Sequence, residues 1–187
     1  AQTQWLLQHH IDYYFYGGDL FNNFSKTRHY FTELQDRLGD ACQVFYIAGN
    51  HDLVANAPFD TVEHLADPRY LHNRYVDLAT TQYRVIGNNG WYDYSFSQYH
   101  DDPQAVATWK RVYWIDSLID QPGTDQERMH LVLRQVRQQL QAAHRDHKKV
   151  LFITHFAPRH QLLGPKPATV MTKRQNRFYQ MANAMMG

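Results

Sequence analysis

The chain has 187 residues, 43% of them hydrophobic and 20% charged, which suits the core of one domain and excludes a disordered tail, a collagen-like chain or a disulfide scaffold. Its formal net charge of +1 gives no general basic field, so nucleic acid is not expected as a partner. The single cysteine, Cys42, favours a reducing, cytoplasmic compartment, and no apolar run approaches the ~18 residues of a membrane span, so no membrane partner is expected.

The first third of the sequence alternates between helical and extended patterns, and glycine closes the segments. Apolar residues at helical spacing before Gly39 indicate a helix, whereas the short apolar runs before Gly17 and Gly49 are typical of buried strands. Asp60 with Glu63 resembles a capping pair that would open a further helix. The patterns predict, in chain order, a helix over 2–10, a strand over 12–16, a helix over 24–38 and a strand over 43–47.

The remainder of the sequence continues this alternation. Residues alternate around Asn88-Asn89-Gly90 as they do in a hairpin, and Thr124 with Glu127 forms a capping box at the start of a long helix. The patterns predict a hairpin over 83–96, a helix over 104–119, a strand over 149–154 and a helix within 168–186. The long helix is expected to place six apolar residues on one face: Met129, Val132, Leu133, Val136, Leu140 and Ala143.

Strands that alternate with helices at both ends of the chain predict an α/β fold. We interpret residues 1–187 as a single domain. Its middle, about 56–125, is more aromatic and less regular, and we interpret it as a cap or an insertion over the site.

Polar side chains follow three predicted strands at the point where each strand ends. Asp19 follows Gly17-Gly18, the run Asn50-His51-Asp52 follows Gly49, and His155 follows Thr154. Ligands of open α/β sheets bind outside the carboxyl ends of the strands, and a preceding glycine allows the sharp turn that exposes the next side chain. We therefore expect these five side chains to converge on one rim, listed in chain order as Asp19, Asn50, His51, Asp52 and His155.

The residue types at this rim suit metal chemistry. A carboxylate, an amide oxygen and an imidazole form a mixed oxygen and nitrogen ligand set without thiolate, which suits Mn, Fe or Zn. An Asp can bridge two cations about 3.5–4 Å apart, the usual clamp for in-line attack on phosphorus. His51 beside Asp52 has the form of a general acid with an orienting carboxylate.

Three motifs, in this order, resemble those of the calcineurin-like metallophosphoesterases: GDLFN at 18–22, GNHD at 49–52 and TH at 154–155. The resemblance covers about 15–160, and GNHD is its most specific part. The stretch GNNGWYDYSF also resembles a bacterial subgroup of the family. The resemblance implies a four-layer α-β-β-α sandwich of two mixed sheets.

The resemblance also implies a function and residue roles. Two divalent or trivalent metal ions (Mn, Fe or Zn) would hold a bridging hydroxide that hydrolyses a phosphomonoester or phosphodiester, with a phosphorylated small molecule or nucleotide as substrate. Asp19 would bridge the metals, and Asn50 and His155 would bind the second one. His51 would act as general acid, with Asp52 orienting it, and Asn22 occupies the usual outer position after the GD pair.

Two family motifs do not occur in the sequence: an Asp-x-His pair before GD and a Gly-His-x-His near the end. The first metal therefore keeps Asp19 as its one visible ligand. Either the sequence is part of a longer protein, or a metal site has been lost and the protein is a scaffold that binds a partner or ligand without hydrolysis. The apolar, aromatic first strand would be an exposed sheet edge without a neighbour, which favours the first explanation.

Arg159 and His160 follow His155 on what should be a loop facing the site. An arginine there could clamp a phosphate group, and a solvated loop explains the same pattern equally well.

Overall fold

The computed structural model describes residues 1–163 and 170–187. Within them, the helices are α1 (Gln2–Gln8), α2 (Phe24–Leu38), α3 (Asn50–Leu53), α4 (Phe59–His64), α5 (Pro103–Tyr113), α6 (Asp125–Arg145) and α7 (Lys173–Asn183). The strands are β1 (Tyr13–Tyr16), β2 (Gln43–Tyr46), β3 (Arg74–Asp77), β4 (Tyr83–Asn88) and β5 (Lys149–Thr154). Short 3₁₀ helices cover Gly39–Ala41, Ile115–Leu118 and His160–Leu162. None of the helices in the two described ranges is long and apolar enough to cross a bilayer.

The strands form two sheets. In the first, β1 and β2 are parallel, with Phe15 opposite Phe45. In the second, β4 lies in the centre, antiparallel to β3 and parallel to β5, with Val85 opposite Leu151. The polar motifs follow β1, β2 and β5, and each of these strands pairs in parallel with a neighbouring strand.

Alternation of side chains along the strands separates the two faces of each sheet. Phe15 and Phe45 lie on one face of the first sheet and pack with Val85 of the second sheet in a common apolar cluster. On the opposite face, Tyr46 stacks on Phe31 of α2 with ring centroids 4.5 Å apart. The long helix α6 contacts β4 and β5 on the second sheet. The order is α2, first sheet, second sheet, α6, so the predicted four-layer α/β sandwich is confirmed.

The elements that carry the motifs fold as predicted because local signals and burial agree. The Asn23 side chain accepts a hydrogen bond from the Lys26 N–H at the start of α2, and Gly39 ends it with a φ of 52°. Thr124 and Glu127 form the predicted capping box at the start of α6. The helix predicted within 168–186 includes two residues, 168 and 169, that lie outside the described ranges, and the described part contains α7.

The hairpin predicted over 83–96 is wrong. β4 pairs with β3 before it and β5 after it, and residues 91–96, all of them described, contain no strand. Asn89 is buried instead of turning at the surface: its Oδ1 accepts from the Ala48 N–H at 2.9 Å, and its Nδ2 donates to the Tyr70 hydroxyl at 2.6 Å. The asparagine pair therefore lies at the buried end of β4, where Asn89 forms hydrogen bonds with the Ala48 N–H and the Tyr70 hydroxyl.

The helix predicted over 104–119 ends early. α5 stops at Tyr113, Trp114 is extended, and the chain continues as the 3₁₀ helix Ile115–Leu118. Asp116 lies in this 3₁₀ helix, where its carboxylate is buried and accepts a hydrogen bond from Asn50.

Asp60 and Glu63 do not form the expected capping pair. α4 begins at Phe59, directly after Pro58, so Asp60 is already inside the helix. Glu63 instead accepts a hydrogen bond at 3.0 Å from the ring of His72, in a buried polar cluster.

The buried face of α6 differs from the expected apolar one. Leu133 and Leu140 are 47% and 43% exposed, whereas Arg128 and Gln135 are buried beside Val132. The polar residues face inward because they have buried partners: Gln135 accepts from Asn88 and donates to Glu63. Of the expected apolar face, Val132 and Ala143 are buried and Met129 and Val136 pack against the core, so the hydrophobic pattern is wrong at Leu133 and Leu140.

Candidate metal centre

The loop after β1 brings Asp19 under the ends of the neighbouring strands. Gly18 has a φ of 98°, and a Cβ atom there would collide with the backbone nitrogen of Gly49, so only glycine fits this close approach. Asp19 follows in the left-handed conformation with a φ of 66°, which aspartate tolerates better than most residues.

The carboxylate of Asp52 holds this loop in place. Its Oδ2 accepts the backbone N–H of Asp19 at 2.7 Å and that of Gly49 at 2.9 Å. Its Oδ1 accepts the N–H groups of Leu20 and Phe21 and the hydroxyl of Thr27, the last at 2.6 Å. Asp52 is 0% exposed, so one buried carboxylate joins the first two strand ends.

The contacts of Asp52 differ from the expected hydrogen bond to the ring of His51. All of its hydrogen bonds go to the two loops and to α2, and among the described residues none goes to the ring of His51. The His51 ring instead lies 3.0 Å, from Nδ1, from the amide oxygen of Asn22. An amide oxygen only accepts, so Nδ1 carries a proton in this contact, and Nε2 is the ring nitrogen that Asn22 does not engage.

Three potential metal donors converge between the strand ends. The Nε2 atom of His155 lies 3.0 Å from Oδ1 of Asn50 and 3.4 Å from Oδ2 of Asp19. The His155 Nδ1–H donates to the carbonyl oxygen of Gly17 at 2.9 Å, which fixes the ring so that Nε2 faces the two oxygens. Ligand histidines are typically oriented in this way, by a hydrogen bond from the other ring nitrogen.

The donor set fits a divalent cation. Ligands bound about 2.0–2.2 Å from one ion stand roughly 3 Å from each other, which is close to the two distances from His155 Nε2 to the Asn50 and Asp19 oxygens. Asp19 offers a carboxylate, His155 an imidazole and Asn50 an amide oxygen. Within the described ranges no group of three or more His, Cys, Asp or Glu side chains could hold an ion, and this cluster instead combines two such side chains with the amide oxygen of Asn50.

Asp19 and His155 each favour the charged form of the other. Burial acts to raise the pKa of Asp19, but the hydrogen bond and charge of His155 and the backbone N–H of His51 hold that pKa below its usual range. Burial acts to lower the pKa of His155, and the Asp19 carboxylate and the Gly17 carbonyl raise it above its usual range. The two side chains are therefore electrostatically complementary in the folded protein.

Sequence patterns missed one residue of the centre, Asp116. Its Oδ1 accepts the Nδ2–H of Asn50 at 2.6 Å, and its Oδ2 accepts the hydroxyl of Tyr92 at 2.8 Å. This contact orients the Asn50 amide so that its oxygen faces His155. Burial raises the pKa of Asp116, partly offset by these two hydrogen bonds. The available signal was a lone acid in an apolar run, WID at 114–116.

A cavity of about 740 Å³ is lined at one end by four of the predicted residues, Asp19, Asn50, His51 and His155. Asn22 does not line the cavity but contacts His51, which does. The structure does not bring Arg159 or His160 to this cavity. Arg159 is exposed, and the ring of His160 packs edge-on against Phe96, with centroids 5.6 Å apart.

The fold and this cluster together define an α/β protein with oxygen and nitrogen donors gathered where parallel strands end. Comparison with protein families matches residues 2–180 to the calcineurin-like phosphoesterase family, and the chain belongs to that family. Membership indicates a phosphoesterase type of hydrolase, in a family that generally binds divalent metals. Comparisons with curated proteins and with solved structures gave no match.

Proposed function

We propose that this protein is a metal-dependent phosphoesterase that hydrolyses a phosphomonoester or phosphodiester. The observation that carries the proposal is the convergence of Asp19, Asn50 and His155 donor atoms beside the ring of His51, at the edge where parallel strands end. Membership of the calcineurin-like phosphoesterases supports the same reaction class.

Asp19, Asn50 and His155 would hold one cation, and Asp19 would be shared with a second. Mn, Fe and Zn suit this mixed oxygen and nitrogen set. Such cations make water a better nucleophile at neutral pH and neutralise charge on phosphoryl oxygens. The substrate phosphoryl group would lie at the polar end of the cavity, against these residues.

His51 would donate a proton to the leaving oxygen. Its Nδ1 is engaged by the Asn22 amide oxygen, which orients the ring within the cavity. Because Nδ1–H is already donated to Asn22, Nε2 would give a proton to the departing alcohol from the doubly protonated imidazolium, which would then become the neutral Nδ1–H ring. The backbone of His51 contributes separately, because its N–H donates to Oδ1 of Asp19 at 3.0 Å and fixes that carboxylate.

Mn²⁺-dependent hydrolysis of 4-nitrophenyl phosphate and bis(4-nitrophenyl) phosphate tests the proposal. We expect Asp19→Asn to raise the Mn²⁺ concentration needed for half-maximal activity about 100-fold, because a neutral amide replaces the ligand carboxylate. Asp36→Asn, a change at an exposed acid on α2, is the matched control and should leave this concentration unchanged. No turnover of either ester with Mn²⁺, Fe²⁺ or Zn²⁺ would favour a scaffold without hydrolysis.

Asp116→Asn should weaken Mn²⁺ binding about tenfold, since loss of an outer partner commonly costs that much affinity. An amide at position 116 can donate to the Asn50 oxygen and so favour the flipped Asn50 amide, whose NH₂ group would face the cation. Calorimetric titration with Mn²⁺ measures this directly. Asp120→Asn, at an exposed acid that accepts the Phe59 N–H, is the control. Equal Mn²⁺ affinity in the wild type and Asp116→Asn would contradict this role.

A further inference from the structure

The cavity at the candidate metal centre has two chemically different ends. The polar end consists of the metal donors and His51, as described above. The rest of its wall is mainly apolar, and it comes from the loop after β5, from the extended residue after α5 and from the segment that includes α7. Its main apolar side chains are Trp114, Phe156, Leu162, Leu163, Met185 and Met186.

Among the described residues that line the cavity, charged side chains lie only at the polar end. Within residues 1–163 and 170–187, no lysine or arginine lines this cavity, and Asp19 is the one acidic residue that does. A leaving group with its own phosphates or carboxylates would meet no cationic partner among the described residues of that part of the wall. An apolar or aromatic group would be desolvated there at little cost.

We propose that the apolar wall is a binding subsite for the alcohol portion of the substrate, and that the preferred substrates are phosphoesters of apolar or aromatic alcohols. This rests on the proposed function, because the phosphoryl group at the polar end determines which part of the substrate reaches the wall. A volume of about 740 Å³ accommodates both parts, since pockets of about 300–1,000 Å³ hold drug-sized ligands.

Two wall residues have apolar surface left to bury. Leu162 is 64% exposed and Met186 is 43% exposed, whereas Met185 at the back of the wall is 2% exposed. Removing apolar surface from water stabilises a complex by about 0.8 kcal/mol per methylene. Methionine side chains also adapt to ligands of different shape, because they are unbranched and flexible.

A series of ethyl, butyl and hexyl phosphate tests the proposal with Mn²⁺ present. The departing alcohols are similar in acidity, so the chemical step changes little while the apolar surface grows. We expect kcat/KM to rise about two- to fourfold per added methylene, mainly through KM. Glycerol 3-phosphate, a polar alcohol ester of intermediate size, should be a poorer substrate than butyl phosphate.

The double variant Leu162→Ser with Met186→Ser should flatten the dependence of kcat/KM on chain length. Leu133→Ser, at an exposed leucine on α6 outside this cavity, is the matched control and should keep the full dependence. Binding of butyl and hexyl phosphonate, measured by calorimetry, gives a readout that requires no turnover. The heat capacity change on binding should become more negative with chain length in the wild type.

The outcomes separate this inference from the proposed function. Hydrolysis of all esters at equal kcat/KM, with equal phosphonate affinities, would overturn the apolar subsite and leave the phosphoesterase proposal standing. A preference for glycerol 3-phosphate over butyl phosphate would overturn it as well. No hydrolysis of any ester, including 4-nitrophenyl phosphate, would overturn the proposed function itself.

Discussion

His51→Ala should lower kcat by about 10²–10⁴, the usual contribution of a general acid. The reason is positional: the Asn22 amide oxygen holds Nδ1, so the ring presents Nε2 at the polar end of the cavity. The loss should depend on the leaving group. Hydrolysis of butyl phosphate should suffer most, because an alkoxide leaves poorly without a proton, and that of 4-nitrophenyl phosphate should suffer least. Steady-state kinetics with both esters measure the difference.

His29→Ala is the matched control, because His29 is an exposed histidine on α2 that pairs with Glu33. It should leave both rates unchanged. Near-wild-type turnover in His51→Ala would refute the assigned role. An equal loss with both esters would show that His51 stabilises charge on the phosphoryl group and does not protonate the leaving oxygen.

The strand-end motifs could be predicted from the sequence because each depends on local signals. Gly17-Gly18 and Gly49 end short apolar runs, and the polar residues that follow them must lie at the end of a strand. Parallel pairing then places Asp19 and Asn50 at the same edge. The shared edge of Asp19 and Asn50 is therefore predictable without knowledge of any long-range contact.

Asp116 could not be found in this way, because its partner Asn50 lies 66 positions earlier in the chain. The turn predicted at Asn89 is wrong for a related reason. Asparagine beside glycine usually indicates a turn, and only the tertiary contacts with Ala48 and Tyr70 explain a buried one. Hydrophobic periodicity likewise does not identify Gln135 of α6, which faces inward to meet buried polar partners.

Asp52→Ala should lower the free energy of unfolding by more than about 4 kcal/mol. Single substitutions cause losses of this size only through a few mechanisms, and breaking a buried polar network is one of them. Four backbone N–H groups and the Thr27 hydroxyl would lose their acceptor, and each buried donor left without a partner costs about 1–3 kcal/mol. Asp52→Asn should be intermediate, because one oxygen remains while the NH₂ group faces donors. Urea denaturation followed by circular dichroism measures both values.

Asp36→Ala removes an exposed acid of α2 and should change the unfolding free energy by no more than about 0.5 kcal/mol. The comparison also distinguishes two roles for Asp52. If the carboxylate acts on the ring of His51, Asp52→Asn should lose activity while its stability stays near that of the wild type. If it joins the loops after β1 and β2, stability and Mn²⁺ affinity should fall together, because the backbone that presents Asp19 depends on the same hydrogen bonds.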